Sequence, residues 1–257
     1  MPELGTALVT GAGRGLGLAI SAGLLDAGFS VALASLEDSA PAGAADLLER
    51  HPDRCEYHPF DVSDIASHEA LLAAVEERFG AITCLVNNAG VTSLVRGDML
   101  DLTPESFDRS VNVNLRGTFF LSQAVAKRMV TAAGNGAYQT IITISSVNAS
   151  MIGENRADYC ITKSALSMLN KLFATRLGEH GIGVFEIRPG IIETEMTAPV
   201  FAKYDPYIRS GGVPMQRWGQ PEDIAKSIRT VATGGLPFAT GIHLDIGGGI
   251  HLHRLKG

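Results

Sequence analysis

Ala7-Leu-Val-Thr-Gly-Ala-Gly-Arg-Gly-Leu-Gly17 decides the fold. A short apolar run of strand character ends in a glycine-dense turn. From Leu16 to Ala27 the apolar residues then recur at helical spacing, and Gly28 stops the pattern. Strand, turn and helix in that order place Gly11, Gly15 and Gly17 where a side chain would keep a phosphate from the backbone. The helix that follows offers unpaired N–H groups and the positive end of its dipole. A ligand-free strand-to-helix connection can use the same residues, so the reading depends on what surrounds it.

Working outward, the same alternation continues. Strands are expected at Val31–Ala34, Cys55–His58 and Ile82–Val86, the last running into Asn87-Asn-Ala-Gly90. Helices are expected over Ala42–Arg50 and from Ile65 to Phe79, and a long, broken helix over 104–131. Then come strand 140–145, helix 158–179, strand Ile182–Ile187, a helix near 221–233 and strand Gly241–Asp245. Strand and helix alternating at this spacing imply right-handed crossovers and an α/β, doubly wound parallel sheet of Rossmann type, with helices on both faces. With no linker, charge block or repeat in 257 residues, residues 1–257 read as a single domain.

Composition agrees and excludes several functions. Apolar residues make up 46% but aromatics only 6%, so Ala, Val, Leu and Ile must build the core, the habit of a covered parallel sheet. A net charge of −6 without basic clusters speaks against nucleic acid. The opening Met-Pro-Glu-Leu-Gly has no basic, apolar leader pattern, and no apolar run approaches the ~20 residues of a membrane span. A cytoplasmic protein is expected. Cys55, Cys84 and Cys160 have neither disulfide nor metal spacing, and no metal is expected. His251 and His253 lack a third ligand nearby and read as a tail feature.

Chemistry enters with Ser146, Tyr159 and Lys163. Residues four apart share a helix face, so Lys163 lies beside Tyr159. An ammonium there favours phenolate and should lower the phenol pKa from about 10 toward the working range of a general acid/base. Ser146, at a strand end, can donate to a substrate oxygen. Taken alone, the three also read as packing and surface residues.

Thr10-Gly-x-x-x-Gly-x-Gly17, Asp61-Val62, Asn87-Asn-Ala-Gly90, Asn114, Ser146, Tyr159-x-x-x-Lys163 and Pro189-Gly190 together resemble the short-chain dehydrogenase/reductase family, in its order and over essentially the whole chain. The resemblance implies hydride transfer between a nicotinamide cofactor and a ketone or secondary alcohol, with Tyr159 as general acid/base. It implies that Lys163 binds the nicotinamide ribose and that Asn114 holds a water in a proton relay. It further implies cofactor contacts from Gly11, Arg14, Gly15, Leu16 and Gly17, from Ser35, and from Asp61 and Val62 beside the adenine. Asn88, Ala89 and Gly90 would line the groove with Tyr159, Lys163, Pro189 and Gly190, while Ile192 and Thr194 would contact the nicotinamide amide. At the adenosine corner Ser35 and Leu36 replace the usual acidic and basic residues. Arg14 tips the balance to NADP(H) over NAD(H), against Glu37 and Asp38. Family members are commonly homotetramers.

For substrate, the chain most resembles the 3-oxoacyl-[acyl-carrier-protein] reductase branch. A lid is expected around 191–218, with Met196, Pro199, Val200, Phe201, Tyr204, Tyr207 and Met215 supplying an apolar lining. Glu179-His180 stands where a basic contact to acyl carrier protein would be expected, leaving Lys127 and Arg128 for that partner. Asn148, Glu154, Asn155 and Arg156 suit a polyol or sugar dehydrogenase, the alternative. A dinucleotide-binding regulator without catalysis is the third reading. Thr83 departs from the Asp of many relatives, and Cys160 reads as a small packing residue.

Overall fold

The computed structural model describes residues 4–133 and 136–252; His253 lies outside them. Seven strands form one parallel sheet: β1 (Thr6–Thr10), β2 (Ser30–Ser35), β3 (Cys55–Pro59), β4 (Ile82–Asn87), β5 (Thr140–Ile144), β6 (Gly183–Pro189) and β7 (Ile242–Ile246). Their order is β3-β2-β1-β4-β5-β6-β7. The chain moves outward from β1 in one direction, then returns to β4 and proceeds in the other. That reversal leaves a crevice beyond the carboxyl ends of β1 and β4, where ligands of open α/β sheets bind.

Period-two burial explains why the inner strands are buried on both faces, whereas the edge strands β3 (Cys-Glu-Tyr-His-Pro) and β7 (Ile-His-Leu-Asp-Ile) are mixed. Ala7 and Val9 of β1, Val31 and Leu33 of β2, and Phe185 and Ile187 of β6 enter one core. Leu8, Ala32 and Val184, the residues between, enter the other. The first core lies under α1 (Gly15–Ala27), α2 (Ala42–Arg50) and α8 (Pro221–Ala232). The second is covered by α3 (His68–Phe79), α5 (Thr118–Thr131) and α6 (Ala157–Leu177). A Cβ on Gly23 of α1 would stand 3.4 Å from the Ala225 methyl of α8, so small residues let these two helices approach closely.

Three local features refine the reading from sequence. The break expected within 104–131 is a π-helical stretch, Val111–Gly117, joining α4 (Pro104–Ser110) to α5. The helix expected from Ile65 begins as a 3-10 turn capped by the Asp64 carboxylate, which accepts from the Ala66 amide. Thr83 gives the N-terminal residues an anchor, its hydroxyl donating to the Leu4 carbonyl at 2.9 Å. Between β6 and α8, residues 191–218 contain α7 (Phe201–Tyr207), a helix that the sequence pattern did not disclose. Ile208, Val213 and Trp218 form a small core of their own there. Phe201 stacks on Trp218 at 4.8 Å, and the Trp218 indole donates to Asp205 at 3.1 Å.

Candidate active site

A cavity of about 550 Å³ opens at the β1/β4 crevice. At one end the turn after β1 forms its floor. Gly15 has φ +53°, which only glycine adopts readily, and the nearest atom to a Cβ there is Thr194 Cβ at 4.0 Å, so a side chain would enter the cavity itself. Gly17 has another reason: its Cβ would stand 2.1 Å from the Gly11 carbonyl oxygen. The Asn88 amide ties this turn to β4 by donating to the Thr10 and Gly11 carbonyls at 2.9 and 3.1 Å. The cradle fits a dinucleotide: Gly11, Gly15 and Gly17 leave the start of α1 open to the cavity.

At its outer corner Glu37 collects the polar groups. Its carboxylate accepts from the Arg14 guanidinium and, at 2.7 Å, from the Ser35 hydroxyl. Glu195 stands 3.8 Å from Arg14 as well.

The other end is built on β5 and α6. Ser146 lies two residues beyond β5, and its hydroxyl accepts from the Asn148 backbone amide at 3.1 Å. Tyr159 lies in the first turn of α6, one residue after Asp158. The Asp158 side chain is fully buried and accepts from Ser93, from Ser106 at 2.8 Å, from Ser110 at 2.9 Å and from the Tyr159 amide at 2.8 Å. One carboxylate thus fixes the start of α6 against α4 and the loop after β4. These hydrogen bonds hold it below the usual carboxylate range although burial pushes the other way.

Lys163 donates to the Ile144 carbonyl at 2.9 Å, and its Nζ lies 5.6 Å from the centre of the Tyr159 ring. Burial lowers its pKa to about 8, opposed by the charge of Glu186. Glu186 is itself buried behind Lys163, accepting from Ser145 at 2.5 Å, Ser167 at 2.9 Å and Arg188 at 2.7 Å. The expectation that Lys163 sets the direction of the tyrosine shift needs correction. Burial raises the Tyr159 pKa, and the groups that pull it down are Ser146 by hydrogen bonding and Arg156 and Arg96 by charge. The ammonium sits against the ring, and its own desolvation weakens it as a source of charge.

Most of the site residues read from sequence meet in this cavity. Ser146, Tyr159 and Lys163 line it, as do Gly11, Arg14, Gly15, Leu16, Gly17, Ser35, Asn88, Ala89, Gly90, Pro189, Gly190, Ile192 and Thr194. Asp61, Val62 and Asn114 are not among its lining residues. Asp61 turns its carboxylate to the Ser63 amide and hydroxyl, and Val62 is buried in the core. Asn114 lies in the π-helical stretch, accepting from the Val91 amide at 2.8 Å and donating to the Val91 carbonyl at 3.0 Å. A Cβ on Gly90 would be 3.3 Å from its Oδ1 and 3.4 Å from Lys163 Nζ, so Asn114 stands just behind the cavity wall.

Met196, Val200, Tyr204 and Tyr207 from residues 191–218 also line the cavity; Pro199, Phe201 and Met215 do not. Sequence reading missed the loop after β4, which contributes Val91, Thr92 and Arg96, and Ile250 from the far end of the chain. A long run between Gly90 and the next helix was the available signal for that loop. Arg128, one of two candidate contacts for acyl carrier protein, is held by Glu69 at 2.6 Å and Glu76 at 3.2 Å. The thiols of Cys55 and Cys84 are pushed up to about 11 and about 12 by burial and are inert. Among the described residues no group of His, Cys, Asp and Glu can hold a metal ion, and no helix is long and apolar enough to cross a membrane.

Residues 5–205 match the family model described as short chain dehydrogenase. The chain is 33% identical to the L-rhamnose 1-dehydrogenase (NAD(P)(+)) of Azotobacter vinelandii, over 96% of this chain and 97% of that one. It is also 33% identical to the (3R)-3-hydroxyacyl-CoA dehydrogenase of Rattus norvegicus, over 96% of each. Among solved structures, a 3-oxoacyl-[acyl-carrier protein] reductase from Brucella melitensis in complex with NAD superposes with a TM-score of 0.93, at 43% identity and 98% coverage of both chains.

Proposed function

The chain belongs to the short-chain dehydrogenase family, and from that premise we propose that this oxidoreductase reduces the 3-oxo group of an acyl thioester. The observation that carries the reading is Ser146, Tyr159 and Lys163 converging on one cavity with a side-chain-free dinucleotide cradle at its other end. A nicotinamide dinucleotide held in this cradle would supply the hydride. Ser146 Oγ holds the carbonyl oxygen, and Tyr159 Oη delivers the proton that the oxygen needs as it becomes an alcohol. Lys163 holds the nicotinamide ribose and keeps positive charge at the tyrosine ring. Asn114, fastened to Val91 on both its polar atoms, supports the proton path from behind the wall. Asp61 and Val62, outside the cavity lining, would border the adenine only at its far edge.

Arg14 favours NADP(H), whereas the carboxylate of Glu37 suits the ribose hydroxyls of NAD(H) and repels a 2′-phosphate. We propose that both dinucleotides serve, NADP(H) requiring Glu37 to release Arg14. Residues 191–218 act as the lid of a single catalytic domain spanning 1–257. With Arg128 engaged by two carboxylates, Lys127 is the remaining basic contact there for acyl carrier protein. A cytoplasmic homotetramer fits the family. The apolar side chains of Ile161, Met168 and Leu172 exposed on α6 support assembly, and a monomer by light scattering would refute it.

The test is nicotinamide absorbance with purified protein, NADPH or NADH, and an acetoacetyl thioester. Rapid oxidation of the cofactor is expected; none with either cofactor would overturn the thioester reading. A second reading, oxidation of a polyol or sugar derivative, is favoured by Asn148 and Arg156 in the cavity wall. It would show as cofactor reduction in the opposite direction.

A further inference from the structure

The charged lining of the cavity is lopsided. Arg14, Arg96, Arg156 and Lys163 face it, against the single carboxylate of Glu195, in a chain whose net charge is −6. Two of these cations are accounted for: Arg14 by Glu37 and Glu195, and Lys163 by its place at the Tyr159 ring. Arg96 and Arg156 have no carboxylate within 4 Å among the described residues.

Arg156 is nonetheless built into place. Its Nε donates to Asn148 Oδ1 at 3.1 Å and one terminal nitrogen donates to Asn155 Oδ1 at 3.0 Å. Asn148 is in turn fixed by donating to the Met151 carbonyl at 2.9 Å and, through its amide, to the Ser146 hydroxyl at 3.1 Å. A Cβ on Gly153 would lie 2.8 Å from Arg156 Nε, so that glycine leaves room for the guanidinium. Amide oxygens orient a cation without neutralising it, and a half-buried guanidinium left charged is costly unless an anion completes it. Arg96 approaches from the loop after β4, its Nη2 3.5 Å from Thr92 Oγ1. Both line the same cavity as Ser146 and Tyr159, and both charges pull the Tyr159 pKa down.

We propose that Arg96 and Arg156 form a clamp for a carboxylate carried by the substrate within a few bonds of the reacting carbon. The proposal rests on the hydride-transfer reading above and narrows its substrate class. Two sources share this chemistry: a free oxo or hydroxy acid, and an acyl thioester with a carboxylate at the far end of its acyl chain. Guanidinium binds carboxylate through charge-assisted hydrogen bonds, and among the described residues Arg156 Nη2 has no protein acceptor.

The experiment compares kcat/KM for matched substrates, gluconate with glucitol and a 3-oxoadipyl with a 3-oxohexanoyl thioester. It uses the wild type, Arg156→Gln, Arg156→Lys, Arg96→Gln and, as a cation outside the cavity, Arg229→Gln. The carboxylated member of one pair should be preferred. Arg156→Gln should reduce that preference about 10- to 100-fold, Arg156→Lys should restore part of it, and Arg229→Gln should leave it alone. Which pair responds identifies the source. A wild-type preference for the neutral members, or an equal loss on both members, would overturn the clamp. Should nothing turn over, the hydride reading fails separately. Calorimetry with succinate and the cofactor-loaded protein then reads the clamp directly: binding lost in Arg156→Gln or Arg96→Gln supports it, and no binding by the wild type overturns it.

Discussion

Arg14 and Arg156 line the same cavity from opposite ends, and they are held in opposite ways. Arg14 lies against the carboxylate of Glu37 with Glu195 at 3.8 Å, so the adenosine corner compensates its own charge. Arg156 is gripped by two side-chain amide oxygens, which fix its direction and leave its charge intact. The backbone follows the same division. At the first end, recognition comes from close backbone approach, Gly17 against the Gly11 carbonyl and Asn88 across to Thr10. At the second, side chains from three separate segments do the work: the loop after β4, residues 146–156 and residues 191–218. On the proposed function, the first end would serve the phosphate-bearing framework common to both dinucleotides, and the second would discriminate between substrates.

The largest expected effect lies where the two ends meet. Tyr159→Phe removes the phenolic oxygen but not the ring against which Lys163 sits. Turnover should fall by about 10²- to 10⁴-fold while dinucleotide affinity, measured by fluorescence titration, stays within a factor of about two. Turnover close to that of the wild type would break the division, because the proton would then have to come from the discriminating wall. A smaller effect tests the compensated end. Glu37→Gln removes the nearer of the two counter-charges of Arg14, and the ratio of kcat/KM for NADPH over NADH should rise about tenfold, ~1.4 kcal/mol. An unchanged ratio would mean that the ion pair does not govern the 2′ position.

How much of this was legible beforehand follows the same line. The inner strands could be read because both faces of the sheet are covered, so each is a buried and mostly apolar run, and the glycine turn could be read because each glycine answers a local steric demand. Tyr159 and Lys163 share a helix face, which spacing alone reveals. Arg96 was invisible because it stands in the loop after β4, whose Ser93 is tied to the buried carboxylate of Asp158, 65 positions away. Helix α7 was hidden for a similar reason: its seven residues include Pro206 and find their core in Ile208, Val213 and Trp218. The direction of the Tyr159 shift was misjudged because spacing reports a neighbouring charge and says nothing of burial.

Lys163 sharpens the comparison through a third kind of cation, buried with neither a carboxylate partner in contact nor an amide cage. Its pKa of about 8, against 10.5 for an ordinary lysine, means that the folded state holds this proton poorly. The sign follows from linkage. Below about pH 8 the folded chain bears the full penalty of a buried charge, about 3 kcal/mol, and the penalty fades as pH rises from 8 toward 10.5. Lys163→Met should therefore abolish turnover and yet stabilise the protein near neutrality. Losing the hydrogen bond to Ile144 returns about 1 kcal/mol, so the net rise in Tm at pH 7 is roughly 5 °C, and it should shrink toward zero or reverse near pH 10. Equal or lower stability at pH 7 would show that Glu186, buried behind the ammonium, already compensates the charge. Lys163 would then belong with Arg14 and not with Arg156.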